Sequence, residues 1–212
     1  RRQRQMCIRD SIRASLKEVV YYVAGSIDSH IGEERIEMEP NKKLPLFIVS
    51  GASGVGKTTM CEILFRRETK YIVMESDILW KEEFNTPEDN YRRFRELWMT
   101  MCANISQSGL PVVLCGCGIP EQFEVCEARK YFTDLHYLAL VCDTEALETR
   151  MRKGRGIADE GWIQSSVSFN EWLKKNAQNT SPAITLINTT NLTPEETAGK
   201  AEEWITGILA NE

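Results

Sequence analysis

The segment from Gly51 to Thr58 constrains this chain more than any other. It reads Gly-Ala-Ser-Gly-Val-Gly-Lys-Thr, which satisfies the pattern G-x-x-x-x-G-K-[ST] in full. The apolar run 46–50 precedes it, and apolar residues at helical spacing from Met60 onward follow it. Glycines let backbone N–H groups turn inward around an anion, and the N-terminus of the next helix adds its positive dipole. The segment therefore predicts a phosphate-binding loop between a strand and a helix.

The two residues that close the pattern have defined tasks. Lys57 can reach the β- and γ-phosphates of a nucleotide, and the Thr58 hydroxyl can ligate Mg²⁺. ATP and Mg²⁺ are therefore the expected ligands. The residues predicted to hold the nucleotide are Gly51, Ala52, Ser53, Gly54, Val55, Gly56, Lys57, Thr58 and Thr59.

The remaining motifs distinguish among the GTPases, ATPases and small kinases that use such a loop. A GTPase would carry Asn-Lys-x-Asp, whereas the segment after the fifth apolar run reads Asn188-Thr189-Thr190-Asn191. A typical ATPase would end its third strand on an Asp, but residues 114–118 contain no carboxylate. The second strand does end acidic, at Glu75-Ser76-Asp77. That placement favours a small kinase.

Strands and helices alternate from Leu44 onward. Strands that are apolar on both faces and separated by helices predict an α/β fold with a parallel sheet between two helical layers. Thr193-Pro194-Glu195-Glu196 predicts the start of the last helix. The predicted strands are 46–50, 71–74, 111–115, 135–141 and 184–187.

The first 43 residues are set apart from this pattern. Residues 1–10 look like a translated sequencing adaptor, which predicts a non-native leader, and a native basic arm is the alternative. Apolar residues at helical spacing predict an amphipathic helix over 11–31, followed by a charged connector to Lys43. Residues 44–212 then form the main domain.

Composition narrows the possible partners and the compartment. The net charge of −5 disfavours binding to nucleic acid, and no apolar run reaches membrane-spanning length. An odd number of cysteines, seven, is typical of reduced thiols and predicts a cytoplasmic protein. Cys115-x-Cys117 could suggest a metal site, but with only His30 and His136 in the chain, packing is the expected role.

From Leu44 to Leu209 the chain resembles the family of small P-loop kinases that includes gluconate kinase, shikimate kinase, chloramphenicol phosphotransferase and the zeta-toxin kinases. The resemblance rests on the phosphate-binding loop, Glu75-Ser76-Asp77, the glycines around Cys117 and residues 147–156, which look like a lid helix. It implies a three-layer P-loop NTPase fold of the nucleoside-monophosphate-kinase type. The implied sheet order is 2-3-1-4-5, with the N-terminal helix as an addition and a mobile lid at about 150–161.

The resemblance also assigns roles to single residues. Asp77 would act as the base on the acceptor hydroxyl, although it could instead cap a helix starting at Ile78. Glu75 would assist Thr58 at the metal. The predicted catalytic residues are Lys57, Asp77, Arg150 and Arg155. Further nucleotide contacts are Arg152, Thr189 and Thr190, and the acceptor side is Asp77, Arg95, Gly116, Cys117 and Gly118; which lid arginine touches phosphate is left open.

Arg95 is chosen for a geometric reason. At about 100° per residue it flanks the Tyr91 and Trp98 edge of the apolar stripe on its helix, whereas Arg92 points away. Trp162, on the helix after the lid, is expected in the core, and a stacking platform is the alternative.

These features predict an ATP-dependent phosphotransferase that moves the γ-phosphate to a small-molecule acceptor, at a hydroxyl group. An ATP-binding or ATP-hydrolysing switch that regulates a protein partner is the alternative, with the N-terminal helix as its docking element. The acceptor and the oligomeric state stay open.

Overall fold

The computed structural model describes residues 43–67 and 69–211. The predicted leader and amphipathic helix lie outside the described residues, as does all but the last residue of the connector. The strands are β1 (Leu46–Ser50), β2 (Ile72–Glu75), β3 (Val112–Cys115), β4 (Leu135–Val141) and β5 (Ile184–Asn188). The α-helices are α1 (Lys57–Phe65), α2 (Arg92–Ser106), α3 (Pro120–Glu124), α4 (Thr144–Thr149), α5 (Glu160–Asn176) and α6 (Pro194–Leu209).

Short turns of tighter or wider helix join these elements. A 3₁₀ turn at Ser76–Leu79 follows β2 directly, and a π-helical turn at Arg150–Gly154 follows α4. Further 3₁₀ turns lie at Glu82–Phe84, Pro87–Asp89, Glu127–Tyr131 and Ala177–Asn179.

The five strands form one sheet in the order β2-β3-β1-β4-β5, and every pair is parallel. This confirms both the fold class and the strand order that the sequence resemblance implies. Leu46 of β1 pairs with Val112 on one side and Leu135 on the other, so β1 is central. Because all strands run the same way, their carboxyl ends share one edge, and ligands in such sheets bind outside that edge.

Alternate residues of β1 face opposite helical layers. Phe47 and Val49 belong to the apolar cluster that contains residues of α1 and α6, and Leu46 and Ile48 belong to the cluster that contains residues of α2. All four side chains are buried, and burying each one stabilises the fold by roughly 1.5–3 kcal/mol. Burial of both faces of β1 explains why its sequence is continuously apolar.

Helix α2 turns a different face to the sheet than its apolar stripe alone predicts. Trp98 and Cys102 are buried as expected, but Met99 and Arg95 are buried as well, while Tyr91 is exposed. The buried line therefore runs one position further round the helix than the stripe of large apolar residues. Arg95 consequently lies inside rather than at the edge.

The last helix, α6, begins where its capping residues predict. Thr193 accepts a hydrogen bond from the backbone N–H of Glu196, whose carboxylate accepts one from the Thr193 N–H. This reciprocal pair starts α6 as predicted. In residues 43–67 and 69–211, no helix combines the length and apolarity needed to cross a membrane.

Candidate functional site

The turn between β1 and α1 leaves a set of backbone N–H groups open. Gly51 has φ +148°, and a Cβ at that position would lie 2.6 Å from the carbonyl oxygen of Leu140. Gly56 precedes α1 with φ +108°, and no side chain caps the helix there. The first N–H groups of α1 are therefore free of side-chain partners, and together with the helix dipole they suit a phosphate.

Lys57 lies across this turn. Its Nζ donates to the carbonyl oxygens of Gly51 at 2.5 Å and Ala52 at 2.9 Å. These bonds hold the ammonium group over the loop that the motif assigns to the phosphates. Its positive charge thus lies where the phosphate oxygens of a bound nucleotide are expected.

Thr58 and Glu75 meet although 17 residues separate them. The Thr58 hydroxyl donates to Oε1 of Glu75 at 2.5 Å. Hydroxyl and carboxylate oxygens are hard donors, and Mg²⁺ in nucleotide sites is held by one or two such protein groups with phosphate and water as its other ligands. The pair fits Mg²⁺ on this ground.

Asp77 follows Glu75 at the same sheet edge. It lies inside the 3₁₀ turn, not at its start, and its carboxylate caps no backbone N–H; the nearest donor is the Ser76 hydroxyl at 3.4 Å. The capping interpretation is therefore wrong. The indole N–H of Trp98 donates to the Ser76 carbonyl at 3.1 Å, which fixes the turn against α2. Asp77 itself is exposed.

The loop 116–118 packs against both β1 and the Asp77 turn. Ser50 donates to the Gly118 carbonyl at 2.6 Å and accepts from its N–H at 3.2 Å. A Cβ on Gly116 would lie 2.5 Å from Oγ of Ser76, so only glycine allows this approach. Cys117 is exposed at the surface but closely surrounded, and loss of hydration raises the pKa of its thiol.

Three charged residues act on the thiol of Cys117. Besides the loss of hydration, the charges of Lys57, Asp77 and Arg95 influence its pKa. The close approach of Gly116 to Ser76 places this loop beside the turn that carries Asp77, and Trp98, three residues after Arg95 on α2, donates to the Ser76 carbonyl. Cys115, by contrast, is buried, and its neighbour Cys61 and the loss of hydration raise the pKa of its thiol; no cluster of metal-ligating residues occurs in the part of the chain that the structure describes.

The three lid arginines differ in what they contact. Arg150 donates to the Thr189 hydroxyl at 3.0 Å and to the Thr189 and Thr190 carbonyls at 2.7 and 3.3 Å. Arg152 pairs with Glu160. Arg155 is exposed, and its guanidinium lies 5.5 Å from the ring centre of Trp162.

Thr189 connects the loop after β5 to the nucleotide loop. Its side chain is 2% exposed and donates toward the carbonyls of Val55 at 3.0 Å and Val141 at 3.2 Å. The Thr190 hydroxyl donates to Asn188 and accepts from the N–H of Asp143. The hydroxyls of both predicted nucleotide contacts thus have protein partners in this structure.

Trp162 lies beside the phosphate-binding loop, where the sequence argument favoured a core position. It is 46% exposed, not in the core, and its indole N–H donates to the Ser53 hydroxyl at 3.3 Å. Asp159 caps the start of α5 by accepting from the Trp162 N–H, which aims the indole at the phosphate-binding loop. The sequence feature that indicates this helix start is Asp159, three residues before Trp162, because that spacing is typical of a helix N-cap.

Comparison with known proteins identifies a family and a fold. The AAA domain family matches residues 48–165, more than half of the chain. No curated protein matches the chain significantly. The solved structure of a gluconokinase from Sinorhizobium meliloti 1021 is similar, with TM-score 0.57 and 18% identity, over 80% of this chain and 97% of that one.

Two further structures are similar at comparable levels. A sugar kinase from Janibacter sp. HTCC2649 has TM-score 0.58 and 19% identity, over 78% of this chain and 95% of that one. The tunicamycin resistance protein of Deinococcus radiodurans has TM-score 0.54 and 15% identity, over 77% and 96%. The chain therefore belongs to the AAA domain family and has the fold of the small P-loop kinases.

Proposed function

We propose that the protein transfers the γ-phosphate of ATP to a hydroxyl group of a small molecule. The observation that carries the proposal is the arrangement at the carboxyl edge of β1 and β2. There the Thr58 and Glu75 pair lies beside the phosphate-binding loop, and a second carboxylate, Asp77, follows two residues later without a structural task. Two of the similar structures are a gluconokinase and a sugar kinase, which supports a small acceptor of this kind.

In this proposal the loop N–H groups and Lys57 hold the β- and γ-phosphates. Mg²⁺, when bound at Thr58 and Glu75, neutralises phosphate charge. Asp77 orients the acceptor hydroxyl and takes its proton as the hydroxyl oxygen bonds to the γ-phosphorus. The bond between that phosphorus and the β–γ bridging oxygen breaks, and ADP leaves. Positioning and electrostatic stabilisation supply most of the catalysis in such reactions.

The lid arginines have separate tasks in the proposal. Arg155 pairs with no carboxylate in the described ranges, so it is free to move from Trp162 to the phosphates and stabilise charge in the transition state. Arg150 acts as a positioning residue, because its bonds to Thr189 and Thr190 fix the loop after β5. Arg152 is engaged with Glu160.

We expect ATP·Mg²⁺ to order the lid. Residues 152–161 are nearly all exposed and contain three glycines, so they have little buried surface to hold them. Hydrogen exchange of this segment should slow when ATP·Mg²⁺ is added, because the arginines gain phosphate partners and closure excludes water. Helix α6 serves as the internal control. Equal protection of the lid with and without nucleotide would contradict the assignment.

ATP consumption measured against a panel of acceptors tests the function. Sugars, sugar acids, nucleosides and aminoglycoside-type alcohols should be compared with buffer alone. The proposal expects at least one class to raise turnover well above the basal rate, with phosphorylated product detected by mass spectrometry. Basal hydrolysis that no alcohol changes would contradict the proposal, and stimulation by a protein partner instead would support a regulatory ATPase.

A further inference from the structure

Trp162 directs the only polar atom of its side chain at the phosphate-binding loop. Its indole N–H donates to the Ser53 hydroxyl at 3.3 Å, a contact between residues that are 109 positions apart. The residue is nevertheless 46% exposed, although tryptophan is on average among the highly buried residues of folded proteins. Core packing therefore does not account for its position, and its contact with the loop needs another explanation.

Ser53 lies on the loop near the place where the terminal phosphate of a nucleotide is expected. The carbonyls of Gly51 and Ala52 accept from Nζ of Lys57, and Ser53 is the next residue. In loops of this pattern the backbone N–H groups enclose the α- and β-phosphates, and the lysine reaches the β- and γ-phosphates. The γ-phosphate thus projects beyond the loop on the side of the ammonium group, and Trp162 contacts the loop one residue further on.

The segment that leads to Trp162 contacts the loop as well. A Cβ on Gly54 would lie 2.8 Å from Cγ of Met151 and 3.2 Å from Cδ1 of Leu147. Two consecutive loop residues, Ser53 and Gly54, therefore contact the stretch of chain that runs from α4 to the start of α5. The contact of Trp162 is part of this wider approach to the loop.

The bond between Trp162 and Ser53 can be exchanged for a stronger one. Its length of 3.3 Å is just beyond the usual N–H···O range of about 2.7–3.2 Å. The Ser53 hydroxyl has no second hydrogen-bond partner among residues 43–67 and 69–211, and the residue is only half-buried. Charge-assisted hydrogen bonds are shorter and stronger than neutral ones. A phosphate oxygen within reach would therefore replace the hydroxyl as the acceptor.

The charged groups around the indole also favour an anion. The guanidinium of Arg155 lies 5.5 Å from the ring centre and pairs with no carboxylate in the described ranges. The Asp159 carboxylate is used as the cap of α5, where it accepts from the backbone N–H of Trp162 at 3.0 Å. Glu160 pairs with Arg152. One uncompensated cation thus lies beside the indole, and together these donors suit a phosphate.

We propose that Trp162 is a nucleotide-binding residue, whose indole N–H passes from the Ser53 hydroxyl to an oxygen of the γ-phosphate of ATP. The inference rests on the proposed function, because it takes ATP as the nucleotide, and it adds how the site distinguishes ATP from ADP. ADP has no γ-phosphate, so in its complex the indole N–H stays on Ser53. Transfer of the γ-phosphate therefore removes this contact and weakens the binding of the nucleotide that must leave.

The affinities for the two nucleotides test the inference without turnover. Trp162→Phe keeps an aromatic ring and removes the indole N–H, and Trp172→Phe, half-buried on the same helix, is the matched control. The Mg²⁺ complexes of ADP and of the β,γ-imido analogue of ATP are titrated by calorimetry. In Trp162→Phe the Kd of the analogue should rise about tenfold, the lower end for a charge-assisted hydrogen bond, because the wild-type indole gives up its bond to Ser53. The Kd of ADP, and both Kd values of the control, should be unchanged.

Nuclear magnetic resonance observes the N–H group itself. Protein with ¹⁵N-labelled tryptophan carries five indole N–H groups, and the resonance that is missing in Trp162→Phe belongs to Trp162. This resonance should shift when the ATP analogue is added and stay in place with ADP. Equal shifts with both nucleotides would mean that Trp162 does not sense the γ-phosphate, and no shift with either would mean that the bond to Ser53 persists. Both outcomes overturn the inference.

The outcomes distinguish this inference from the proposed function. If Trp162→Phe loses affinity for the ATP analogue alone but no alcohol raises ATP consumption, the inference stands and the kinase proposal falls. If an alcohol is phosphorylated but Trp162→Phe binds the analogue as the wild type does, the kinase proposal stands and the inference falls. An equal loss of affinity for both nucleotides, or a melting temperature lowered by several degrees, would show a structural role of Trp162 and overturn the inference.

Discussion

Replacing Asp77 by Asn should lower acceptor-dependent turnover by roughly 10²–10⁴, the range for a positioned acid–base group, while ATP affinity stays within a few-fold of wild type. The amide is nearly isosteric with the carboxylate, and Asp77 caps no helix in the structure, so the fold should be unaffected. Steady-state kinetics with the best acceptor, and calorimetric titration of ATP, measure the two quantities.

Glu82→Gln is the matched control for this variant. Glu82 is an exposed residue five positions further along the same segment, and its carboxylate accepts a hydrogen bond from Asn85. It should retain wild-type turnover. If Asp77→Asn also turns over like wild type, Asp77 is not the base. Glu75 would then become the candidate base, with Asp89, whose Oδ1 already accepts from Thr86 and Arg92, a distant second.

Replacing Lys57 by Ala should impair binding and chemistry together. The ammonium lies over the phosphate-binding loop, so its loss removes charge from both the bound phosphates and the transition state. We expect ATP affinity to fall at least about tenfold and turnover to fall by roughly 10²–10³ or more, as for other losses of transition-state charge stabilisation.

Lys70→Ala controls for the change in net charge, since Lys70 is exposed and lies beyond α1. Circular dichroism melting of both variants checks that the loop survives the loss of two hydrogen bonds to Gly51 and Ala52. A Lys57→Ala protein that binds ATP normally and still transfers phosphate would remove the phosphate-binding loop from the mechanism.

The fold was predictable because its signals are local. Continuous apolar strands, glycine-bounded turns and the Thr193 cap can each be recognised from a few neighbouring residues. The observed strands differ from the predicted ones by at most one residue at either end. The strand order is a long-range property that no local pattern carries. It came from the family resemblance, and the sheet confirms it.

The site was predictable only in its nucleotide half. The motif names Lys57 and Thr58 directly, and the acidic end of the second strand indicated Glu75, which contacts Thr58 at the start of α1. The burial of Arg95 was not predictable, because the apolar stripe of α2 does not reveal that the helix is rotated by about one position. The contact of Trp162 with Ser53 likewise spans 109 residues.

The central place of β1 in the sheet has an evolutionary consequence. The groups assigned to the acceptor follow β2 and β3 on one side of it, and the groups that brace the nucleotide loop, Arg150 and Thr189, follow β4 and β5 on the other. In the proposed function, substitutions after β2 and β3 other than at Glu75 would change which molecule is recognised while the phosphate-binding loop stays intact. Such a division would allow one fold to acquire new acceptor specificities through substitutions on one side of the sheet.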